Sequence, residues 1–182
     1  HYANMGRKLH DTEPVFRAAI DECVDIARQY LEQPLTAVLF PADVAQTGLM
    51  NQMKYAQPAL YALEYALAKL WMSFGVQPTA VMGHSVGEYT AACIAGLFSV
   101  ADGMKLVAAR GRLFDSLPEA GVMVAVFAGV EQVTAAIAPY ADRVSIGAVN
   151  GPTNIVISGA QASVEAVLAD LTAAGVKSRR LD

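Results

Sequence analysis

The most informative stretch of this chain is Gly83-His84-Ser85-Val86-Gly87-Glu88. It follows an apolar run at residues 79–82 and precedes a run of small residues at 89–95. A strand, a tight turn and a helix in this order form a nucleophile elbow, in which glycines beside the serine allow a strained backbone and close approach of a substrate. The first N–H groups of the helix would face a developing oxyanion. The pattern predicts a nucleophile at Ser85, and a Gly-Ser turn without chemistry is the alternative.

The composition indicates a globular protein and excludes several functions. Of the 182 residues, 54% are hydrophobic and only 16% are charged, so the chain can bury a sizeable core. A net charge of −4 with no basic stripe predicts no nucleic-acid partner. The longest uncharged run, 144–164, is interrupted by glycine, proline and asparagine, and the run at 89–101 is too short to cross a bilayer. We therefore expect no membrane contact.

The cysteines and histidines indicate neither a disulfide nor a metal site. Cys23 and Cys93 both fall on apolar helical faces, which favours buried free thiols and a reducing, cytoplasmic location. The three histidines, His1, His10 and His84, have no ligand-like spacing. We therefore expect no bound metal.

Residues 1–121 are predicted to form an α/β layer structure around the elbow. The helix predicted over 58–74 is apolar nearly all round, with Glu64 and Lys69 as its only charges, so it belongs in the interior. A strand between helices, with the nucleophile at its end, favours the α/β class. The predicted elements are helices at 13–31 and 58–74, a short buried strand at 79–82, the elbow helix, and a helix at about 100–117 that begins with a capping box at Ser99.

Residues 122–182 are predicted to form a second, smaller domain, with the boundary near 118–121. The order of elements is βαββαβ, which is the ferredoxin-like pattern. The predicted elements are strands at 122–128, 144–149, 155–158 and 176–181 and helices at 131–140 and 163–174.

Arg110 is the second candidate for chemistry. It falls within an apolar stripe of its helix, and a guanidinium is costly to bury without an anion. An intramolecular salt bridge or a side chain that reaches solvent would also satisfy it. Beside a reactive serine, however, it could bind a substrate carboxylate through two parallel hydrogen bonds. The stripe consists of Leu106, Val107, Leu113, Phe114 and Leu117.

Four ordered motifs together resemble the malonyl-CoA:acyl carrier protein transacylases, and most closely the acyltransferase domains of modular polyketide synthases. The resemblance extends over almost the whole chain. The motifs are the elbow, Leu106-Val107-Ala108-Ala109-Arg110-Gly111-Arg112-Leu113, Tyr55-Ala56-Gln57-Pro58-Ala59-Leu60, and Val149-Asn150-Gly151-Pro152 with Val156-Ile157-Ser158-Gly159.

The resemblance implies a hydrolase-like large subdomain with a ferredoxin-like small subdomain, and a ping-pong acyl transfer. Ser85 would attack the thioester of an acyl-CoA, the N–H of Val86 would form half of the oxyanion hole, and Arg110 would bind the free carboxylate of a malonyl unit. The acyl group would pass to the phosphopantetheine thiol of an acyl carrier protein. Malonyl-CoA, that carrier and neighbouring polyketide synthase domains are the implied partners, and no bound cofactor is implied.

Three further residues are candidates for substrate binding. His84 is adjacent to the nucleophile. Gln57 could instead cap the buried helix, and Asn150 could instead be a turn former. By analogy with subgroups of the family, Val86 and the motif that contains Gln57 favour malonyl over methylmalonyl, although a single methyl group is worth only about 1–3 kcal/mol.

The sequence also departs from the family pattern. The family's essential histidine would follow the last residue, Asp182, and its glutamine-bearing first turn would precede His1. We therefore expect a fragment that has little activity alone, because no imidazole would activate the Ser85 hydroxyl. A serine hydrolase of the elbow type and a non-catalytic module that docks carrier protein are the alternative functions.

Overall fold

The computed structural model describes residues 1–42, 44–118 and 121–181, and of residues 44–47 only the backbone. It divides into two compact units, His1–Ser116 and Leu117–Asp182. The predicted boundary at 118–121 includes residues 119 and 120, which lie outside the described residues.

The first unit is helical and is organised around one long helix, α4. This helix packs against α2, α5 and α6, and most of its side chains between Tyr55 and Ala66 are buried. An apolar surface on nearly all sides explains why it occupies the interior. The helices are α1 (Arg7–Thr12), α2 (Pro14–Ala27), α3 (Leu35–Leu39), α4 (Met53–Ser73), α5 (Gly87–Ile94) and α6 (Val100–Asp115), with a 3₁₀ segment at Val44–Asn51.

Helix α4 begins five residues before the predicted start at Pro58. The prediction placed this proline in the first position of the helix, where its missing N–H costs nothing. The structure places it inside the helix. The N-terminal amides of α4 are instead capped by a residue remote in sequence. The N–H groups of Met53 and Lys54 donate to the carboxylate of Asp115 at 3.2 and 3.0 Å. This cap lets the helix begin upstream of the proline.

The predicted buried strand at residues 79–82 is wrong for the described residues, which show irregular chain there. Met82 is 93% exposed and Val81 is 39% exposed. An extended segment becomes a strand only when a neighbouring strand accepts its hydrogen bonds. The described part of the first unit offers no such neighbour, so the apolar run remains unpaired.

Two glycines of α6 allow it to pack closely against α4. A Cβ at Gly103 would collide with the Tyr61 hydroxyl, and one at Gly111 would collide with the backbone carbonyl of Met53. Backbone atoms cannot move aside as a flexible side chain can, so Gly111 is the stricter requirement. Gly111 is also the neighbour of Arg110, so the same close packing brings that arginine to α4.

The apolar stripe predicted for α6 is not the buried face of this helix. Its members Leu106, Leu113, Phe114 and Leu117 are 45–68% exposed, and only Val107 is buried. The buried face consists mainly of small residues, because the close contact with α4 excludes large ones. The buried residues of α6 are Gly103, Met104, Val107, Ala108 and Gly111.

The second unit is a four-stranded antiparallel sheet with two helices. The strand order is β2-β3-β1-β4, and the elements follow one another as βαββαβ, the order that the sequence predicts. Its core joins strand residues such as Val124 and Ile157 to helix residues such as Val133 and Val167. The elements are β1 (Gly121–Val126), α7 (Val130–Ile137), β2 (Val144–Gly151), β3 (Asn154–Ala160), α8 (Gln161–Ala173) and β4 (Ser178–Leu181).

None of the helices in the described ranges is long and apolar enough to cross a membrane.

Candidate active site

Ser85 has a strained backbone at a sharp turn. Its φ is +53°, in the left-handed region that few residues other than glycine adopt. The turn is so tight that a Cβ on Gly83 would collide with the backbone of Gly87 and Glu88. Strain of this kind persists only where the surroundings hold it, and it is concentrated at functional sites. The geometry is that of the predicted elbow, although the residues before it do not form a strand.

The turn leaves one amide available next to the serine. The N–H of Gly87 donates to the His84 carbonyl at 3.0 Å, and the N–H of Glu88 donates to the Ser85 carbonyl at 3.2 Å. Within the described chain, the N–H of Val86 donates to no backbone carbonyl. An unpaired N–H at a helix N-terminus is a suitable donor for an oxyanion on a group bound to Ser85.

Arg110 lies beside the serine hydroxyl. Its Nη2 donates to Ser85 Oγ at 3.4 Å, and its Nη1 donates to Gln57 Oε1 at 2.6 Å. The guanidinium also lies over the rings of Phe114 and Tyr89, with centroid distances of 4.9 and 5.8 Å. These contacts fix the position of a half-buried cation next to the candidate nucleophile.

Arg110 forms no ion pair with any residue that the structure describes. The alternative of an intramolecular salt bridge is therefore not found in the described chain. A guanidinium that has a neutral amide and a hydroxyl as its polar partners retains its attraction for an anion. The site is thus a cation beside a serine, which can accept a carboxylate-bearing ligand.

The prediction that Gln57 caps the buried helix is wrong. Gln57 lies within α4 and is only 4% exposed, with its side-chain oxygen bound to Arg110. A buried amide needs a hydrogen-bonding partner, and here that partner is the guanidinium. Gln57 therefore orients Arg110.

The histidines in the described chain do not bond to Ser85. His84 is exposed and lines a cavity that Ser85 does not line. His10 packs on Phe40 at 4.9 Å between ring centroids, and its Nε2 lies 3.6 Å from Asp21 Oδ1. In the described chain the hydrogen-bond partner of Ser85 Oγ is Arg110 and not an imidazole.

The cavity beside the elbow has a volume of about 590 Å³. Its walls include Glu64, Met72, His84 and Thr90 but not Ser85, Arg110 or Gln57. Because none of the reactive groups lines this cavity, it does not define the site at Ser85.

Asn150 belongs to the second unit. It lies in β2 with an exposed side chain, just before a two-residue turn at 152–153 in which Gly151 pairs with Asn154. The turn is therefore made by Pro152 and Thr153, and the interpretation of Asn150 as a turn former is wrong in this respect.

The two cysteines are free thiols. Burial, with a smaller effect of the neighbouring Glu22 carboxylate, raises the pKa of Cys23 to about 12. A protonated thiol is a poor nucleophile, so Cys23 does not compete with Ser85. In the ranges that the structure covers, no cluster of three or more histidine, cysteine, aspartate or glutamate side chains could hold a metal ion.

Two features of the site were not predicted from the sequence. Gly111 sets the helix spacing that brings Arg110 to Gln57, and Glu64 accepts a hydrogen bond from Thr90 beside the elbow. The isolated carboxylate in the apolar helix was a usable signal for Glu64. No signal in the sequence pointed to Gly111, because a close helix contact depends on the partner helix.

The chain belongs to the acyl transferase domain family. The family model described as "Acyl transferase domain" matches residues 2–182. Among curated proteins, the chain is 44% identical over 177 residues to the phenolphthiocerol synthesis polyketide synthase type I Pks15/1 of Mycobacterium marinum, covering 97% of the chain and 8% of that protein. It is 44% identical over 180 residues to the mycoketide-CoA synthase of Mycobacterium tuberculosis, covering 99% of the chain and 4% of that protein.

Solved structures agree with this membership. The acyltransferase domain from the second module of the salinomycin polyketide synthase matches with a TM-score of 0.91 and 44% identity, over 100% of the chain and 41% of that structure. The malonyl CoA-acyl carrier protein transacylase of Clostridium perfringens matches with a TM-score of 0.84 and 28% identity, over 100% of the chain and 57% of that structure. The chain thus spans less than two thirds of each solved relative and a small share of each synthase.

Proposed function

We propose that this chain carries the nucleophile and the carboxylate clamp of an acyltransferase that moves a malonyl unit from coenzyme A to an acyl carrier protein. The observation that carries the proposal is the position of Arg110, a cation without an anionic partner in the described chain, 3.4 Å from Ser85 Oγ. A serine that accepted only neutral acyl groups would gain nothing from this cation.

The proposed reaction has two steps. Ser85 Oγ attacks the thioester carbonyl carbon, the C–S bond breaks, and coenzyme A leaves as a thiol after taking a proton. The phosphopantetheine thiol of the carrier protein then attacks the Ser85 ester, and the serine recovers its proton. In both steps the Val86 N–H would donate to the oxyanion, while Arg110 holds the free carboxylate of the malonyl unit. Coenzyme A and phosphopantetheine enter as parts of the substrates, and the proposal needs no resident cofactor.

The proton acceptor is proposed to be a histidine outside residues 1–182, as the family resemblance implies. The support from the structure is that neither His10 nor His84 is hydrogen-bonded to Ser85 in the described chain. We expect the 182-residue chain alone to form the serine ester much more slowly than the full-length natural protein. Equal rates would contradict this assignment.

Malonyl is the proposed extender unit, with methylmalonyl as the alternative. Support comes from the resemblance of Val86 and of the motif that contains Gln57 to the malonyl subgroup; the Val86 side chain itself lies in the core of the first unit. Competition between the two CoA esters, measured as the ratio of kcat/KM, tests this choice. A ratio that favours methylmalonyl would contradict it.

The two units are proposed to be parts of the two subdomains of the family. Residues 1–121 would belong to the hydrolase-like large subdomain, and residues 122–182 would form the ferredoxin-like small subdomain, which the βαββαβ order supports. His84 and Asn150 stay candidates for substrate contact. Neighbouring polyketide synthase domains are the proposed partners besides the carrier protein, and the cytoplasm is the proposed location.

A serine hydrolase is the competing function. It would form the same serine ester but release the acyl group to water. Incubation of the full-length protein with malonyl-CoA, with and without carrier protein bearing its phosphopantetheine thiol, distinguishes the two. We expect malonyl-carrier protein to accumulate with little free malonate. Release of malonate at the same rate in both mixtures would overturn the transferase in favour of the hydrolase, and the absence of any ester would favour a docking module.

A further inference from the structure

Glu64 is a carboxylate to which the proposed chemistry gives no role. It is half-buried in the interior helix α4, and its Oε2 accepts a hydrogen bond of 2.7 Å from Thr90 Oγ1. Thr90 is itself only 7% exposed. Burying part of a carboxylate in a largely apolar helix is unfavourable unless its contacts compensate for lost hydration. The contacts of Glu64 therefore indicate what the residue does.

These contacts are with helix α5, which begins in the elbow. A Cβ built on Gly87 would lie 3.6 Å from Glu64 Oε2 and 3.7 Å from Oε1, so the carboxylate faces the first residue of that helix. The N-cap residue, Val86, supplies no side-chain cap. Glu64 thus lies beside the first residue of α5, and its hydrogen bond with Thr90 holds it against the first turn of that helix.

The same turn of α5 determines where Ser85 lies. The N–H of Gly87 donates to the His84 carbonyl and that of Glu88 to the Ser85 carbonyl, so movement of this turn displaces the serine and the adjacent Val86 N–H together. Ser85 has the strained φ of +53°, which the surroundings must hold. Glu64 contacts this turn from α4, and Thr90 belongs to the turn itself, whereas Arg110 contacts the serine hydroxyl directly.

We propose that Glu64 and Thr90 are positioning residues for the nucleophile, acting through their hydrogen bond on the first turn of α5. The proposal rests on the proposed acyltransferase function. Neither residue hydrogen-bonds to Ser85 Oγ, and neither takes part in a bond-making step. Their effect is on the geometry of the attacking hydroxyl and of the oxyanion donor, and small displacements of such groups are costly in rate.

Four substitutions separate this role from general stability. Glu64→Ala and Thr90→Val remove the bond and are expected to lower the rate constant of Ser85 acylation about 10- to 100-fold, with KM for malonyl-CoA changed less than about twofold. Glu64→Gln keeps a carbonyl acceptor and Thr90→Ser keeps a hydroxyl donor, so both are expected within about threefold of the parent rate. Thr90→Val preserves side-chain shape and remains informative where Glu64→Ala does not fold.

Glu22→Ala is the matched control. The Glu22 carboxylate also accepts a hydrogen bond from a hydroxyl of α4, that of Tyr65 at 3.2 Å. This pair joins α2 to α4 and does not involve α5. Its loss should lower the free energy of unfolding without changing the acylation rate of folded enzyme.

The test is single-turnover acylation of the full-length natural protein by malonyl-CoA, followed by mass spectrometry. The burst amplitude gives the concentration of active sites, so the rate constant refers only to folded enzyme. Slow acylation in Glu64→Ala and Thr90→Val with recovery in the conservative variants supports the proposal. Parental rate constants with reduced amplitude would overturn it, as would equal losses in Glu64→Ala and Glu64→Gln. A parent protein that forms no ester on Ser85 would instead refute the proposed function itself.

Discussion

Arg110 differs from an ordinary helix arginine because it has an amide and two aromatic rings as neighbours but no carboxylate partner among the described residues. Its guanidinium is held by Gln57 on one side and by two aromatic rings, yet no carboxylate pairs with it in the described chain. Arg112, two residues on, donates instead to the backbone carbonyl of Tyr30. The two arginines of one motif therefore have separate tasks, one at the serine and one between helices.

Replacing Arg110 with alanine tests the carboxylate clamp. Removal of charge-assisted hydrogen bonds to a substrate carboxylate should cost about 3 kcal/mol, or roughly a hundredfold in kcat/KM for malonyl-CoA. Acetyl-CoA has no free carboxylate, so its slower transfer should change by less than about threefold. Equal losses for the two substrates would show that Arg110 serves the fold or the serine but not the carboxylate.

Replacing Gln57 with leucine tests how Arg110 is held. Leucine fills the same buried volume but cannot accept the guanidinium hydrogen bond, so the cation should become misplaced. We expect malonyl transfer to fall about tenfold, with acetyl transfer nearly unchanged, because the effect passes through Arg110. In the double variant with Arg110→Ala, the leucine should add little further loss, and independent additive losses would contradict the link.

At the scale of elements, the contact between α4 and α6 builds the site. Gln57 and Arg110 lie 53 positions apart in sequence and meet because Gly111 allows the helix backbones to approach. Asp115, at the end of α6, then caps the first turn of α4. A single close contact thus fixes both the start of α4 and the position of Arg110.

Gly111→Ala tests this contact. The added Cβ would collide with the Met53 carbonyl, and separating two packed backbones should lower the free energy of unfolding by about 1–3 kcal/mol despite the better helix propensity of alanine. Urea denaturation measures the change. Gly48→Ala is the matched control, since a Cβ there meets nothing within 4 Å, and it should shift stability by less than about 0.5 kcal/mol. Equal effects of the two substitutions would contradict the close-contact account.

The elements show what local sequence can and cannot specify. The N-cap at Ser99 was predicted correctly, because Ser99 Oγ accepts a hydrogen bond from the N–H of Asp102, only three residues away. The strand at 79–82 was predicted wrongly, because a strand also depends on a neighbouring strand, which the periodicity of the sequence does not reveal. The buried face of α6 was predicted wrongly for the same reason. The close approach of α4 determines which residues of α6 are buried, and the hydrophobicity of its leucines does not.

At the scale of the whole molecule, the prediction of two units rests on local signals in the sequence, whereas the contacts of the site do not. The local signals are the proline and glycine near 118–121 and the change from helices to alternating strands. The structure divides between Ser116 and Leu117. The elbow is also local, and Ser85 was predicted from it. The pairs Gln57–Arg110 and Glu64–Thr90 join distant segments, so only the folded chain reveals them.

We propose that Ser85 carries the acyl group, and mapping the resulting ester is the decisive experiment. The full-length natural protein is incubated briefly with malonyl-CoA, digested, and analysed by mass spectrometry. We predict one malonyl ester, on the peptide that contains Ser85, which disappears when carrier protein with its phosphopantetheine thiol is added. Ser85→Ala should carry none. An unmodified Ser85 peptide in the parent protein, or an ester on another residue that survives in Ser85→Ala, would contradict the account.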